Sequence, residues 1–251
     1  KVTDQSWANR DGTQARGWFL RGMEGAPAIV LLHRYGTDRS WLFNLGIKIN
    51  ETTNFTILWP DLRGHGLDPP VKWTSFGFRE GEDVLAAIDF LKTLKTTKGK
   101  EFVGQHIGLY GVELGAFAAL KGAAHEANVR VLVLDSVPRS SDELIQSAVT
   151  ADLGVNKDPI LVVVRQGLKV YFLGNYHNTT ACETAASLKD RKILLLSGPD
   201  AGYLRESTSA LARCFQGSTQ VEMKTDLPLT GFNSPSATAE QGEAYDRRVI
   251  D

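Results

Sequence analysis

Short, nearly continuous apolar segments alternate with amphipathic segments along most of this chain. The apolar segments that we interpret as strands are AIVLLH (28–33), FTILWP (55–60), HIGLYG (106–111), VRVLVLDS (129–136), KILLLSG (192–198) and TQVEMKT (219–225). Strands without polar alternation are typical of parallel sheets that are covered on both faces. Helices are predicted between the strands at 40–50, 79–95, 113–126, 203–216 and 240–251. The alternation predicts an α/β fold with a mostly parallel central sheet and helices on both faces.

Two regions depart from this alternation. The first 25 residues contain RDGTQARGWFLRG and are predicted to form antiparallel strands joined by a turn at Asp11 and Gly12. Residues 137–185 are longer than a simple crossover requires, and SSDELIQSAVTADL opens with a capping pattern. We therefore predict one domain over 1–251 with a small helical lid inserted at about 137–185.

Composition excludes several classes of function. The net charge of the 251-residue chain is -1, so no global field favours nucleic acid. No apolar run approaches the roughly 20 residues that span a bilayer. The chain begins at Lys1 rather than Met, as expected for a trimmed or mature form. Cys182 and Cys214 are either two thiols or one disulfide. An exported protein with a disulfide and a cytoplasmic protein therefore both remain open.

The segment LYGVELGAFAAL (109–120) places Glu113 between two glycines, after an apolar run and before an Ala-rich helical run. A strand, a G-x-x-x-G turn and a helix are the setting of a nucleophile elbow, in which the central residue is exposed at the carboxyl edge of the sheet. The flanking glycines relieve crowding at the sharp turn. The sequence therefore predicts a functional position at Glu113.

Four more segments follow predicted strands in a fixed order: HRYG (33–36), DLRGHGLD (61–68), SGPD (197–200) and DLPLTGFN (226–233). Together with GVELG (111–115), they resemble the landmarks of the α/β-hydrolase superfamily over nearly the whole chain. The resemblance implies an α/β-hydrolase fold. It also implies an oxyanion hole formed by the backbone amides of Tyr35 and Leu114, and a catalytic acid at Asp200, with Asp135 as the alternative.

Three positions depart from the chemistry that the resemblance implies. Serine is the usual elbow nucleophile, and a histidine takes its proton, but the elbow residue here is Glu113. No histidine follows His177, so Gly231 or Phe232 occupies the histidine position. Arg34 replaces the glycine that usually follows the loop histidine, here His33. These changes around one pocket predict a degenerate catalytic triad.

A buried carboxylate without a partner is costly, and Arg34 is the cation gained on the facing loop. We therefore hypothesise an ion pair between Glu113 and Arg34 across the oxyanion hole. In the alternative, both side chains face solvent. His33 is predicted to be structural, although a base borrowed from His33 remains open.

Aspartates at strand ends raise the question of a metal site. Asp61, Asp135 and Asp200 all follow predicted strands and are candidates to approach Glu113. Aspartates at strand ends commonly cap turns, and no His or Cys spacing matches zinc or iron. We therefore expect no metal and no cofactor.

The sequence favours a hydrolase-like protein that has lost Ser-His-Asp catalysis and binds a small molecule or a partner protein. Phe232 makes the wall of the pocket apolar, and an acidic floor with aromatic walls suits a cationic or amphipathic ligand. The alternative is an atypical hydrolase of carboxylic esters or amides with a rearranged site.

Overall fold

A computed structural model describes residues 1–153, 158–171 and 180–251 of the chain. Its central feature is an eight-stranded sheet with the strand order β1-β2-β4-β3-β5-β6-β7-β8. The strands are β1 (Val2–Ala8), β2 (Gln14–Leu20), β3 (Ala28–Leu32), β4 (Thr56–Pro60), β5 (Ile107–Val112), β6 (Val129–Asp135), β7 (Lys192–Leu196) and β8 (Gln220–Lys224). All six strands predicted from the apolar segments are present, as β3 to β8.

The sheet is parallel from β4 to β8 and antiparallel at its amino-terminal edge. β1 pairs with β2 through the predicted turn, where Gly12 adopts φ 81°. β2 then pairs antiparallel with β4. Parallel strands place their carboxyl ends at one edge, so the loops after β3, β5, β6 and β7 meet there.

Helices connect the strands of the described chain. They are α1 (Phe43–Thr53), α2 (Glu80–Thr93), α3 (Leu114–Ala124), α4 (Ser141–Leu153), α5 (Asp158–Tyr171), α6 (Ala181–Ser187), α7 (Leu204–Leu211) and α8 (Ala239–Ile250). The five predicted helices correspond to α1, α2, α3, α7 and α8. No described helix combines the length and the apolar character needed to cross a membrane.

The core is divided into two layers by the sheet. Val30 and Leu32 pack in one cluster with residues of α2, α3 and α6, whereas Leu31 packs in a second cluster with residues of α1 and α8. Because neighbouring residues of a strand point to opposite faces, these clusters lie on the two sides of the sheet. The predicted coverage of both faces is confirmed.

The inserted segment at 137–185 contains α4 and α5 and the beginning of α6. Thr180 caps α6 by accepting a hydrogen bond from Glu183 N. Residues 154–157 and 172–179 lie outside the described residues. The interpretation of this segment as a lid within one domain stays a prediction.

Cys182 of α6 and Cys214, which follows α7, form a disulfide. Of the two alternatives that the sequence left open, the structure therefore contains the bonded pair. The disulfide therefore links α6 to the segment that directly follows α7.

Candidate functional site

The turn between β5 and α3 has the backbone geometry of an elbow. Glu113 joins the two elements with φ 49° and ψ -105°, a backbone conformation that residues other than glycine rarely adopt. A Cβ on Gly115 would lie 2.2 Å from the carbonyl oxygen of Leu32, and one on Gly111 would lie 2.4 Å from Gly115 C. Both glycines are therefore required by close backbone contact, and the turn fixes where Glu113 points.

The carboxylate of Glu113 is buried among hydrogen-bond donors. Oε2 accepts from the Tyr35 backbone N–H at 3.0 Å, and Oε1 accepts from the Ser147 hydroxyl of α4. The Leu114 N–H also donates to the carboxylate. The two amides that the sequence predicted as an oxyanion hole thus bind the chain's own side chain.

Burial raises the pKa of Glu113, and its donors oppose that effect. Removal from water is the largest cause, and it outweighs Arg34, Ser147 and the two backbone N–H groups, which act to lower the pKa. Every partner is a donor, so the arrangement is suited to the ionised carboxylate. The site therefore holds a charge that is costly to bury and is compensated by its immediate neighbours.

Arg34 lies between Glu113 and the loop that follows β8. Its Nε is 3.9 Å from Glu113 Oε2, within ion-pair distance, although Nε itself makes no hydrogen bond. Its Nη1 donates to the Phe232 carbonyl at 2.8 Å, and its guanidinium stacks 4.0 Å from the centre of the Phe232 ring. The hypothesised ion pair is present, and the alternative in which both side chains face solvent is wrong.

His33 is fully buried and occupied on both ring nitrogens. Nε2 accepts from the Leu62 N–H at 3.1 Å, so Nδ1 carries the proton and donates to the Arg34 carbonyl at 2.8 Å. Burial lowers the pKa of His33 to about 3. A neutral ring whose nitrogens both bind backbone has no free position at which to act as a base.

The RGHG segment also binds backbone and side chains of the scaffold. The His65 ring lies against the Arg63 carbonyl at 2.8 Å, and Arg63 forms a buried ion pair with Asp83 of α2. His177 lies outside the described residues. His65 and Arg63 are therefore both engaged by the scaffold.

Asp135, at the end of β6, is a fully satisfied buried carboxylate. Oδ1 accepts from the Ser136 hydroxyl at 2.6 Å, and Oδ2 accepts from the Gly231 N–H at 2.8 Å and from the Tyr245 hydroxyl. Burial raises its pKa to about 6. Tyr245 is placed by α8, whose first turn is closed by a capping box between Thr238 and Gln241.

Asp200, after β7, is satisfied on one oxygen only. Oδ2 accepts from both the N–H and the hydroxyl of Thr230 at 2.9 Å. Oδ1 is buried and has no hydrogen-bond partner among the described residues. In the arrangement implied by the family resemblance, an acid at this position orients the catalytic histidine.

The loop after β8 has no room for a side chain at one of the two histidine positions. A Cβ on Gly231 would lie 2.5 Å from the Tyr110 hydroxyl and 2.7 Å from the Tyr245 hydroxyl. Trp41 Nε1 also donates to the Gly231 carbonyl at 2.8 Å. Of the two positions left open by the sequence, Phe232 is therefore the one that can present a side chain.

The strand-end aspartates do not assemble into a metal site. Asp61 is bound by the Arg39 N–H at 3.0 Å and by Arg16 Nε at 3.2 Å. Asp135 and Asp200 use their oxygens as described above. Among the described residues, no group of three or more His, Cys, Asp and Glu side chains is arranged to hold a metal ion.

Sequence reasoning missed Ser147 and Tyr203. Ser147 donates to Glu113 from α4, and Tyr203, whose pKa burial raises to about 12, lies near it. One signal was available, because Ser147 shares a helical face with Leu144 and is buried like its apolar neighbours. A polar residue on the buried face of a helix indicates a partner in the interior.

No protein-family model matches the sequence, and no curated protein matches it. Solved structures are similar to it in fold. An esterase from Pyrococcus furiosus has a TM-score of 0.70 at 18% identity, covering 99% of this chain and 89% of that chain. The alpha/beta hydrolase GrgF from a Penicillium species has a TM-score of 0.72 at 14% identity, covering 99% and 96%. An acetyl xylan esterase from a Paenibacillus species has a TM-score of 0.67 at 18% identity, covering 99% and 83%.

These similarities extend over nearly the whole chain and agree with the sheet order and the elbow. At 14–18% identity they concern architecture rather than chemistry. The chain has the α/β-hydrolase fold.

Proposed function

We propose that this protein is an α/β-hydrolase-fold protein without Ser-His-Asp catalysis, whose altered centre binds a small ligand or a partner protein. The observation that carries the proposal is the hydrogen bond from the Tyr35 N–H to the Glu113 carboxylate. An oxyanion hole works only when its donors are free to meet the charge that develops on the substrate. Here the carboxylate of Glu113 occupies these donors.

The size of this effect is large in enzymes that use such donors. Loss of one oxyanion donor slows acyl transfer by about 10²–10³-fold. Filling both with a carboxylate also adds repulsion against a second negative oxygen. Productive binding of a tetrahedral intermediate at Tyr35 and Leu114 therefore requires Glu113 to leave.

The described histidines supply no replacement base at this centre. His33 and His65 both contact backbone carbonyls through Nδ1. Glu113 as a covalent nucleophile would still need a base to activate the water that cleaves its ester. These contacts support the proposal that the whole Ser-His-Asp triad is absent from this centre.

The same contacts bear on the kind of ligand. Arg34 lies at the Glu113 carboxylate, so a cationic ligand would have to replace Arg34 there. Phe232 is already stacked by the guanidinium. We therefore favour neutral or acyl-bearing ligands over cations, in line with the esterases that share the fold.

A second candidate function is ester or amide hydrolysis by a rearranged site. It is favoured by the esterase names of similar structures and by the hydrogen bond between Ser147 and Glu113. The two candidates differ in whether the protein turns over repeatedly.

The test is steady-state hydrolysis of p-nitrophenyl esters with short and medium acyl chains. We expect no turnover above background for the wild type, for Glu113→Gln or for Glu113→Ala. Repeated turnover by the wild type that disappears in Glu113→Ala would overturn the proposal. Equal turnover in all three proteins would indicate a contaminating esterase, which an independent preparation identifies.

A further inference from the structure

Ser147 is a hydroxyl at the altered centre that the family landmarks do not include. It lies on α4, is 8% exposed, and donates its hydroxyl hydrogen to Glu113 Oε1. The neighbouring side chains of Arg34, Tyr35 and Tyr203 are each half-buried, so each of them reaches solvent.

Glu113 is held in the orientation that a base for Ser147 requires. The Tyr35 N–H and Arg34 both engage Oε2, which leaves Oε1 for the serine. A nucleophile in hydrogen-bond contact with a base, and a third group that orients the base, form the general arrangement of an activated nucleophile. Burial raises the pKa of Glu113 and thereby strengthens it as a proton acceptor.

Tyr203 completes the arrangement on the other side of the serine. Its hydroxyl lies near Ser147 and donates to the Glu143 carbonyl at 3.5 Å, and burial raises its pKa to about 12, which keeps it protonated at neutral pH. A protonated phenol beside the attacking oxygen is a donor for negative charge that develops on an acyl group.

We propose that Ser147 is an acyl acceptor, with Glu113 as its base and activated aryl esters as its acyl donors. The inference rests on the proposed function, because a Glu113 that holds the oxyanion amides is a base and not a nucleophile. Ser147 Oγ forms a bond to the acyl carbon, its proton moves to Glu113 Oε1, and the acyl C–O bond breaks to release the phenolate.

The reaction stops after this step. Water attack on the acyl-serine must expel the Ser147 alkoxide, a much poorer leaving group than the phenolate, so the acyl-serine accumulates. The product is therefore a stable acyl-protein formed in a single event. This outcome separates the inference from repeated hydrolysis.

The chain contains a second buried Ser–Glu pair that serves as a control. Ser207 of α7 donates to Glu143 Oε1 at 2.6 Å. Glu143 is bound by Arg139, and it contacts neither of the elbow amides named above. Ser207 thus shares with Ser147 a hydrogen bond to a buried carboxylate that an arginine holds, but Glu143 is not the elbow residue and does not bind the Tyr35 N–H.

The experiment mixes the intact protein with p-nitrophenyl acetate and follows both p-nitrophenolate release and whole-protein mass. We expect a burst of about one equivalent, a mass gain of one acetyl group, and peptide mapping of that group to Ser147. Ser147→Ala should lose the burst, and Ser207→Ala should keep it. Glu113→Gln retains the shape without the base and should slow the burst by about 10²-fold or more.

Circular dichroism of each variant establishes that it is folded before it is compared. No acetyl group on Ser147 of the wild type would overturn the inference and leave the proposed function standing. An acetyl group that persists at the same rate in Glu113→Gln would also overturn it, because the base would then play no part. Continuous turnover without an adduct would overturn both the inference and the proposed function.

Discussion

Glu113 and Asp200 are two carboxylates at the carboxyl edge of one sheet, and their surroundings differ. Both oxygens of Glu113 meet donors, from Tyr35 and from Ser147, and Arg34 lies at ion-pair distance. Asp200 has one oxygen bound by Thr230 and one buried oxygen without a partner. The elbow side carries a buried charge together with its compensation, whereas the acid side has a buried acceptor oxygen without a donor among the described residues.

The difference indicates which of the strand-end carboxylates contributes more to the stability of the fold. Asp135 resembles Glu113, because three donors converge on it and it joins β6 to α8 and to the loop after β8. Asp200 is held by one residue of that loop. We therefore expect removal of Asp135 and removal of Asp200 to have unequal consequences.

The largest expected effect is that of Asp135→Ala at pH 7. It leaves the Gly231 N–H and the hydroxyls of Ser136 and Tyr245 without their acceptor, and an unsatisfied buried donor costs about 1–3 kcal/mol. We expect the free energy of unfolding to fall by about 3 kcal/mol, and by about 1 kcal/mol for the matched Asp200→Ala. Urea unfolding of both variants measures the difference, and equal losses would contradict the comparison.

The next effect concerns pH. The pKa of Asp135 rises from 3.8 to about 6 on folding, so the unfolded chain ionises first as pH increases. The unfolded state then binds fewer protons, and stability contributed at this site falls between pH 3.8 and about 6. The fall is on the order of 2–3 kcal/mol at 1.36 kcal/mol per pKa unit.

Asp135→Asn removes this titration and retains an acceptor oxygen. Its free energy of unfolding is measured beside that of the wild type from pH 3.5 to 7. The difference, variant minus wild type, should increase as pH rises. Glu113→Gln should change in the same direction, because burial raises the pKa of Glu113 as well. A difference that does not vary with pH would show that neither carboxyl is perturbed.

A smaller effect tests the ion pair. Arg34→Ala removes the charge near Glu113 and the stacking on Phe232. We expect a loss of about 2 kcal/mol at pH 7.5, of which about 1 kcal/mol disappears when Glu113→Gln is already present. A double-mutant cycle by urea unfolding gives this coupling, and strictly additive losses would mean that the two side chains do not interact.

Much of the scaffold was predictable because it follows from local patterns. Most of the six parallel strands are nearly continuous apolar runs, and the flanking glycines of the elbow are required by close contacts such as that between Gly115 and Leu32. The resemblance to α/β-hydrolases placed Tyr35, Leu114 and Glu113 in order along the chain, and the structure brings them together. The pairing of Arg34 with Glu113 followed from the cost of an isolated buried charge.

Other parts of the site depend on distances that no local pattern contains. Ser147 lies 34 residues after Glu113, and the packing of the inserted segment brings the two side chains together. The sequence left Gly231 and Phe232 as equal alternatives, and only the proximity of Tyr110 and Tyr245 separates them. The sequence likewise named Asp135 and Asp200 together without showing that one is saturated and the other is not.

The smallest expected effect returns to the unpartnered oxygen of Asp200. Asp200→Asn retains an oxygen for the Thr230 N–H and hydroxyl, and it places an NH₂ group where Oδ1 has no donor. No hydrogen bond is lost, so we expect the free energy of unfolding at pH 7 to change by less than about 0.5 kcal/mol. A loss above about 1 kcal/mol in urea unfolding would mean that Oδ1 has a partner such as bound water, and the contrast between the two sides of the site would then fail.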